Sequence, residues 1–406
     1  MESSEVEQKD AAQQMNETSV KARPRPVKGD VNPLEPGLDS RYYTDPRVAD
    51  LEQRRIFDRT WQLVGHVTDL PNPGSRIVGS VGRKEVVVVR TEDGGIRAHL
   101  NTCRHRGTRL VTEPGEGKAL RCPYHGWTYH LDGKLVGAPE NRTIPCLDKS
   151  KLSLFGARAE VFCGLIFVNL DLAAEPLGPQ LAGLRPLLER YLGGTMETFG
   201  KARVHVNKPE DAQESNWKVA VDNYLEGYHV PVAHPGLMRL LDYKRYSVQT
   251  ADLYAVYDAP LRDKASDNWA ERLYQRVVRP MPGLLEEDCR VFRYIAIYPN
   301  TMIDLYPDHV LIWKMNPRGV DRVDVPGAYL RRANCDLRTR IAQQLNFYIS
   351  AITTREDEDL VQRMQIGMGN IDFAPGPLSM REQGVAWFAA RVRADLGDLD
   401  EEAGRK

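Results

Sequence analysis

The stretch NTCRHRGTRLVTEPGEGKALRCPYHGW, residues 101–127, constrains this 406-residue chain more than any other. It holds Cys103 and His105, then Cys122 and His125, in the pattern Cys-x-His-x16-Cys-x2-His. Two tight pairs of metal-ligating side chains demand a fold that brings both loops to one point. The composition of each pair selects the metal. Zinc sites commonly use Cys-x2–4-Cys and His-x3–5-His pairs. Here each loop offers one thiol and one imidazole. A [2Fe–2S] cluster held by two Cys on one iron and two His on the other requires that set, one ligand per iron from each loop.

Strand signals surround the four ligands. SRIVGSVGRKEVVVVRTEDGGIRAHLN reads as two or three antiparallel strands with a hairpin at EDGG. WTYHLDGKLVGAP turns at Asp132-Gly133, and EVFCGLIFVNLD adds further strands. Residues 62–175 are therefore expected to form a small antiparallel β domain with the ligands at one end. Ahead of it, TDPRVADLEQRRIFDRTWQLVG offers Thr44 or Asp45 as an N-cap and apolar residues at helical spacing up to Trp61. That predicts a helix over 41–61, packed on the C-terminal domain. Residues 1–40 carry Pro24, Pro26, Pro33 and Pro36 and no aromatic ring, the composition of a disordered tail.

Past residue 176 helical and alternating segments mix, giving an α+β domain over 176–397 and a short tail over 398–406. Its last helix has Ser379 and Glu382 as a capping box and Gly397 as a stop. A net charge of -1 argues against a nucleic-acid partner. No run of 18 apolar residues spans a membrane, and the N-terminus lacks the features of a signal peptide, so a cytoplasmic protein is expected. Cys146, Cys163, Cys289 and Cys335 have no partner pattern and read as small buried apolar residues.

A second cluster lies in NWKVAVDNYLEGYHVPVAHPG. Asp222, Glu226 and His229 follow at i, i+4 and i+7, one stripe of a helix. Pro231 should end that helix near residues 228–230. An unbroken helix would aim His229 and His234 about 140° apart, whereas the break lets both imidazoles meet one metal. After His234 only His309 remains, so a third ligand has to be a carboxylate. TTREDEDLVQRMQIG offers Glu356, Asp357, Glu358 and Asp359, although Thr354 could simply cap a helix whose first turn is acidic.

The cluster pattern with its CPYHGW neighbourhood, joined to Glu226-x2-His229-x4-His234, resembles the Rieske non-haem iron oxygenases over nearly the whole chain outside the N-terminal tail. The resemblance implies an antiparallel Rieske domain and a helix-grip catalytic domain, an antiparallel sheet with helices. Cys103 and Cys122 would hold the inner iron of the cluster, and His105 and His125 the exposed one. His229, His234 and Asp357, with Asp359 as the alternative, would hold a mononuclear Fe(II). Glu226 stands where the family places a carboxylate that links the cluster of a neighbouring subunit to an iron-bound histidine. Most members have Asp there; Asp222 is the alternative route. Partners implied are O₂, a small-molecule substrate, and a separate reductase or ferredoxin supplying electrons from NAD(P)H to a homotrimer. The string DNYLEGYHVPVAHPG looks most like the choline monooxygenase-type branch, which implies an N-methylated amine, hydroxylated or demethylated. An arene is the alternative substrate. Tyr224, Tyr228, Tyr294, Tyr298, Tyr306 and Trp313 are the rings expected near the iron. A Rieske electron-transfer protein without oxygenase activity would not need the second histidine cluster.

Overall fold

A computed structural model describes residues 34–202, 212–370, 373–397 and 399. The tail expected over 1–40 lies mostly outside the described residues, as does that over 398–406. Order begins earlier than expected: Leu38 is 1% exposed, and Ser40 opens a short helix to Thr44. The helix expected over 41–61 is broken. Asp45 caps α1 (Pro46–Glu52) by accepting from the Arg47 N–H at 2.8 Å, and a π-helical turn follows over Gln53–Phe57.

The first seven-stranded antiparallel sheet takes in β1 (Gln62–His66), β2 (Ser75–Val81), β3 (Lys84–Arg90), β4 (Ile96–Leu100) and β5 (Gly115–Glu116). A smaller sheet is formed by β6 (Ala119–Arg121), β7 (Thr128–His130) and β8 (Leu135–Gly137). The hairpin of β9 (Gly156–Phe162) and β10 (Leu165–Asn169) completes the first, in the order β1-β10-β9-β4-β3-β2-β5. Val86 to Val89 on β3 are fully buried on both faces, which a run of four valines suits. The EDGG turn joins β3 to β4, with the Thr91 N–H bonded to Gly95 O at 2.8 Å. Gly133, at φ +91, makes the β7–β8 turn, where a side chain would collide with the His99 ring.

The second seven-stranded antiparallel sheet contains β11 (Met196–Ala202), β12 (Ser247–Thr250), β13 (Tyr254–Pro260), β14 (Val291–Ile297), β15 (Thr301–Tyr306), β16 (His309–Lys314) and β17 (Gly327–Arg332). Their order is β11-β17-β16-β15-β14-β13-β12. Strand alternation splits its central residues between two environments. Ile295, Ile303, Leu305, Val310 and Ile312 pack with Leu63, Phe162 and Phe167 of the first sheet in one apolar core. Tyr294, Asp304, Tyr306, Leu311 and Trp313 face the other way. On that side lie α2 (Trp217–Tyr224), the one-turn α3 (Val230–Ala233) and the long α4 (Leu337–Met368), whose Ala342 and Ile349 pack against Phe292, Tyr306 and Leu311. The last helix, α5 (Gln383–Leu396), follows half of the expected capping box: the Ser379 N–H donates to Glu382 Oε2 at 2.6 Å, and Gly397 ends it at φ +70. No described helix is long and apolar enough to cross a membrane.

Two further expectations fail here. α4 starts at Leu337, where Asp336 accepts from the Thr339 N–H at 2.8 Å, so Thr354 lies in mid-helix and caps nothing. The four spare cysteines are not buried: Cys146 is exposed and Cys163, Cys289 and Cys335 are partly so. Cys146 and Cys163 occupy turns with φ of +58 and +49, where the backbone is at the surface.

α1 is tied to α2 by a buried ion pair. Glu52 is 1% exposed and Lys218 is fully buried; they bond directly, and Glu52 also accepts from Trp217 Nε1 at 2.9 Å. Burial drives the Lys218 pKa down, and the Glu52 charge opposes that shift. Glu52→Ala would strand a buried ammonium. It should lower stability by roughly 3–5 kcal/mol, and Glu52→Leu with Lys218→Met should recover most of the loss. Urea unfolding of the wild type and the two variants checks both halves.

Candidate metal centres

The first centre sits on two matching loops. The Gly107 N–H bonds to Cys103 O, and the Gly126 N–H to Cys122 O, both at 3.0 Å. In each loop the glycine four residues after the cysteine takes positive φ, +77 and +72, and so turns the histidine back over the thiol. Cys103 and Cys122 are 2% and 3% exposed, while His105 and His125 are at the surface. The two Nδ1 atoms face each other at 3.2 Å. Trp127 stacks on His105 with ring centroids 4.7 Å apart, and Tyr129 Oη lies 3.2 Å from Cys103 Sγ. Two buried sulfurs behind two exposed nitrogens fit a [2Fe–2S] cluster with unlike irons.

The second centre begins where α2 stops, at Tyr224. The Leu225 N–H closes the helix onto Val221 O at 3.0 Å, several residues before Pro231 could end it. Pro231 instead lies in the first turn of α3, where its missing N–H leaves no gap. Glu226 and His229 therefore leave the helical stripe of Asp222 and enter a turn. In it the Glu226 carboxylate accepts from the Tyr228 N–H, from the His229 N–H at 3.2 Å, and from His229 Nδ1. Since α3 is one turn long, His229 and His234 flank it, and their Nε2 atoms meet at 3.0 Å.

Asp357 arrives from α4. Its Oδ1 is 2.9 Å from His234 Nε2 and 3.5 Å from His229 Nε2, and it accepts from Asn223 Nδ2 at 2.8 Å. His234 Nδ1 donates to Glu356 Oε2 at 2.8 Å, as His229 Nδ1 does to Glu226. Each ring thus commits one nitrogen to a glutamate and turns the other inward. The three facing ligand atoms lie within 4.8 Å of one another, and two imidazoles with one carboxylate suit an iron(II) ion with open positions. Burial opposes charge on His229, but Asp357 and Glu226 outweigh it and raise the pKa to about 9. Burial likewise opposes ionised Asp357, but the imidazoles hold it at about 2. Asp359 points outward to Arg363 at 2.9 Å and stays away from the imidazoles. Asp222 turns elsewhere too. It is 6% exposed, accepts from Tyr43 Oη at 2.6 Å, and is pushed by burial up to about 7.

The three residues line a cavity of about 630 Å³. Tyr224, Tyr294, Tyr306 and Trp313 line it as expected. Tyr228 does not, being 59% exposed, and Tyr298 is buried beside Phe388 with its hydroxyl on Asp395. The sequence reading missed Tyr246, Tyr257, Tyr329 and Asp304, all of which line the cavity. The period-two alternation of β14 to β16 places Asp304 with Tyr306 and could have found it.

Comparison with known proteins agrees with this geometry. The family "Ring hydroxylating alpha subunit (catalytic domain)" matches residues 200–398, and the family "Rieske [2Fe-2S] domain" matches residues 60–148. Chlorobenzene dioxygenase subunit alpha of a Cupriavidus species is 32% identical over 71% of this chain and 69% of its own length. The carnitine monooxygenase oxygenase subunit of Acinetobacter baumannii is 34% identical over 50% of this chain. That match spans about half of the relative, 54%. The crystal structure of the quaternary ammonium Rieske monooxygenase CntA with a bound inhibitor has the same fold. Its TM-score is 0.75 at 24% identity, covering 89% of this chain and 96% of that one.

Replacing His229 or His234 with Ala should lower the iron content from about three to about two per chain while about two sulfides and the red-brown colour remain. Elemental analysis and the visible spectrum report both. The raised His229 pKa also sets a pH trend, because a metal must displace the proton held at neutral pH. Iron(II) affinity of the metal-free protein should therefore strengthen as pH rises from 6.5 toward 9, measured by titration under argon.

Proposed function

The chain belongs to the family of ring-hydroxylating alpha subunits with a Rieske [2Fe–2S] domain, and on that premise we propose that it is a terminal oxygenase acting on a small N-methylated amine. One observation carries the reading: two distinct metal-ligand sets occur in one chain, and the second lines a cavity walled by tyrosines. In this reading Cys103, Cys122, His105 and His125 hold the cluster, and His229, His234 and Asp357 hold the iron. When bound, the cluster passes electrons singly and the iron activates O₂ for insertion into substrate. Glu226 and Glu356 keep a proton on each histidine Nδ1, so that both Nε2 lone pairs stay aimed at the metal. Asn223 orients Asp357.

Electrons would come from NAD(P)H through a separate reductase, directly or by way of a ferredoxin, and enter at His105 and His125. Glu226 would then relay them between subunits of a homotrimer. Tyr228 and Val232, at 59% and 89% exposure beside the His229 turn, suit a surface that a neighbouring subunit covers. No two of the six cysteines form a disulfide, in keeping with a reducing cytoplasm. Tyrosine and tryptophan faces attract a quaternary ammonium group by roughly 0.5–2 kcal/mol each. An arene is the second reading, favoured by the likeness to chlorobenzene dioxygenase subunit alpha.

Oxygen uptake coupled to product, measured across choline, betaines, carnitine and a panel of arenes, tests the choice. Coupled uptake with an arene and with no N-methylated amine would replace the first reading by the second. Glu226→Gln keeps the size of the side chain and removes its charge. Both metal contents should survive, and in a single turnover the reduced cluster should fail to deliver its electron. An unchanged rate removes Glu226 from the route.

A further inference from the structure

Asp304 stands in the middle of a row of side chains paired in register across five strands: Tyr257, Tyr294, Asp304, Leu311 and Tyr329. Every member of that row lines the cavity. Aspartate is among the residues least suited to the interior of a strand. Here it is 4% exposed, and Oδ1 accepts from Tyr224 Oη at 2.7 Å and from Trp313 Nε1 at 3.2 Å. Both donors are neutral, and among the described residues no salt bridge reaches it. A buried carboxylate without a cation is costly. Burial raises its pKa to about 6, and the hydrogen bonds from Tyr224 and Trp313 and, more weakly, the His309 imidazole behind the cavity wall oppose the rise, so the group is mainly ionised at neutral pH.

The remaining charges in the cavity do not neutralise it. Glu226, Asp357 and Glu358 also line the wall, against one guanidinium, that of the exposed Arg355. Glu226 and Asp357 are occupied by the two imidazoles. Tyr294 lies within electrostatic reach of both Asp304 and Asp357, so the unpaired charge and the metal-ligand set share one neighbourhood. The rings around Asp304 are set edge to face, Tyr224 against Trp313 at 5.3 Å and Tyr294 against Tyr306 at 6.4 Å, and all four line the cavity.

We propose that Asp304 is the charge-selecting residue of the cavity, seating a cationic nitrogen of the substrate among Tyr224, Tyr294, Tyr306 and Trp313. This rests on the oxygenase reading and narrows it, because an arene gains nothing from the carboxylate and bears the cost of desolvating it. A purely structural role, holding Tyr224 and Trp313 in place, would be filled equally by a neutral acceptor.

Calorimetric titration of the metal-loaded protein with choline, glycine betaine and dimethylbutanol, the uncharged carbon isostere of choline, separates these roles. Wild type should prefer choline or glycine betaine over the isostere. Asp304→Asn should weaken the cations by roughly 10- to 100-fold and leave the isostere within about threefold. Asp304→Glu, which keeps the charge, should retain the preference for cations. Equal loss in both variants, or no loss in Asp304→Asn, overturns the assignment while the amine reading stands. A wild-type protein that binds arenes and no cation overturns the assignment and the amine reading together. Should Asp304→Asn fail to fold, the wild-type comparison still decides, since absence of any preference for choline over its isostere also overturns the assignment.

Discussion

One carboxylate oxygen gathers the catalytic half of the molecule. Oδ1 of Asp357 accepts from Asn223 at the end of α2 and lies against His234 at the end of α3, across 134 and 123 residues of chain. No local propensity could bring those groups together; tertiary packing must, and most of the fold can be read as the means. α2 has to stop at Tyr224 so that the next five residues can turn the two histidines back. α4 has to be long, because the aspartate lies in mid-helix while the Asp336 cap stands many residues earlier. Its upstream turns are fixed on the sheet by Ala342 and Ile349 in the apolar cluster and by Gln343, whose amide donates to Asp308 O at 3.0 Å.

The sheet supplies the other half of that arrangement by facing two ways. Its isoleucines and leucines merge with the first sheet into a shared core, and its tyrosines, tryptophan and Asp304 line the cavity. A pleated strand gives this division without further devices, since neighbours in sequence point to opposite faces. The Glu52–Lys218 pair then locks the start of α2 to α1. It holds the same helix, two turns before the turn that carries Glu226 and His229, so that turn starts from a helix fixed by a buried contact.

Much of this was legible in the sequence for identifiable reasons. The four cluster ligands sit in loops between strands, where spacing decides geometry, and the glycine four residues after each cysteine is a further mark of the same turn. Hairpins at EDGG and Asp132-Gly133 follow from turn chemistry. Pro231 marks a helix end in the sequence and so makes the helix around Asp222 look too long, whereas proline in the first turn of a new helix is equally compatible with its fixed φ. The acidic run at 356–359 looked like a helix start because acids favour that end; a 32-residue helix that passes through it leaves no local signature. The cavity wall was half visible. Alternation along the strands marks the aromatic residues and puts Asp304 on the face of Tyr306, while the row that sets Asp304 among three tyrosines depends on pairings between distant segments.

Three buried or half-buried aspartates show how neighbours divide one residue type into different roles. Asp222 lies against a phenol and a buried lysine, and its desolvation prevails, raising it to about 7. Asp304 lies among a phenol, an indole and further rings, and burial again prevails, to about 6. Asp357 is desolvated as well, yet two imidazoles and an amide donor hold it at about 2. Only the last faces two imidazoles, which on losing a proton offer lone pairs that share a divalent cation with it. The ligand set is therefore distinguished from the other buried carboxylates by what it faces, two Nε2 atoms pinned by glutamates on their far sides. The same physics leaves Asp304 as a buried carboxylate on the cavity wall with no salt bridge among the described residues.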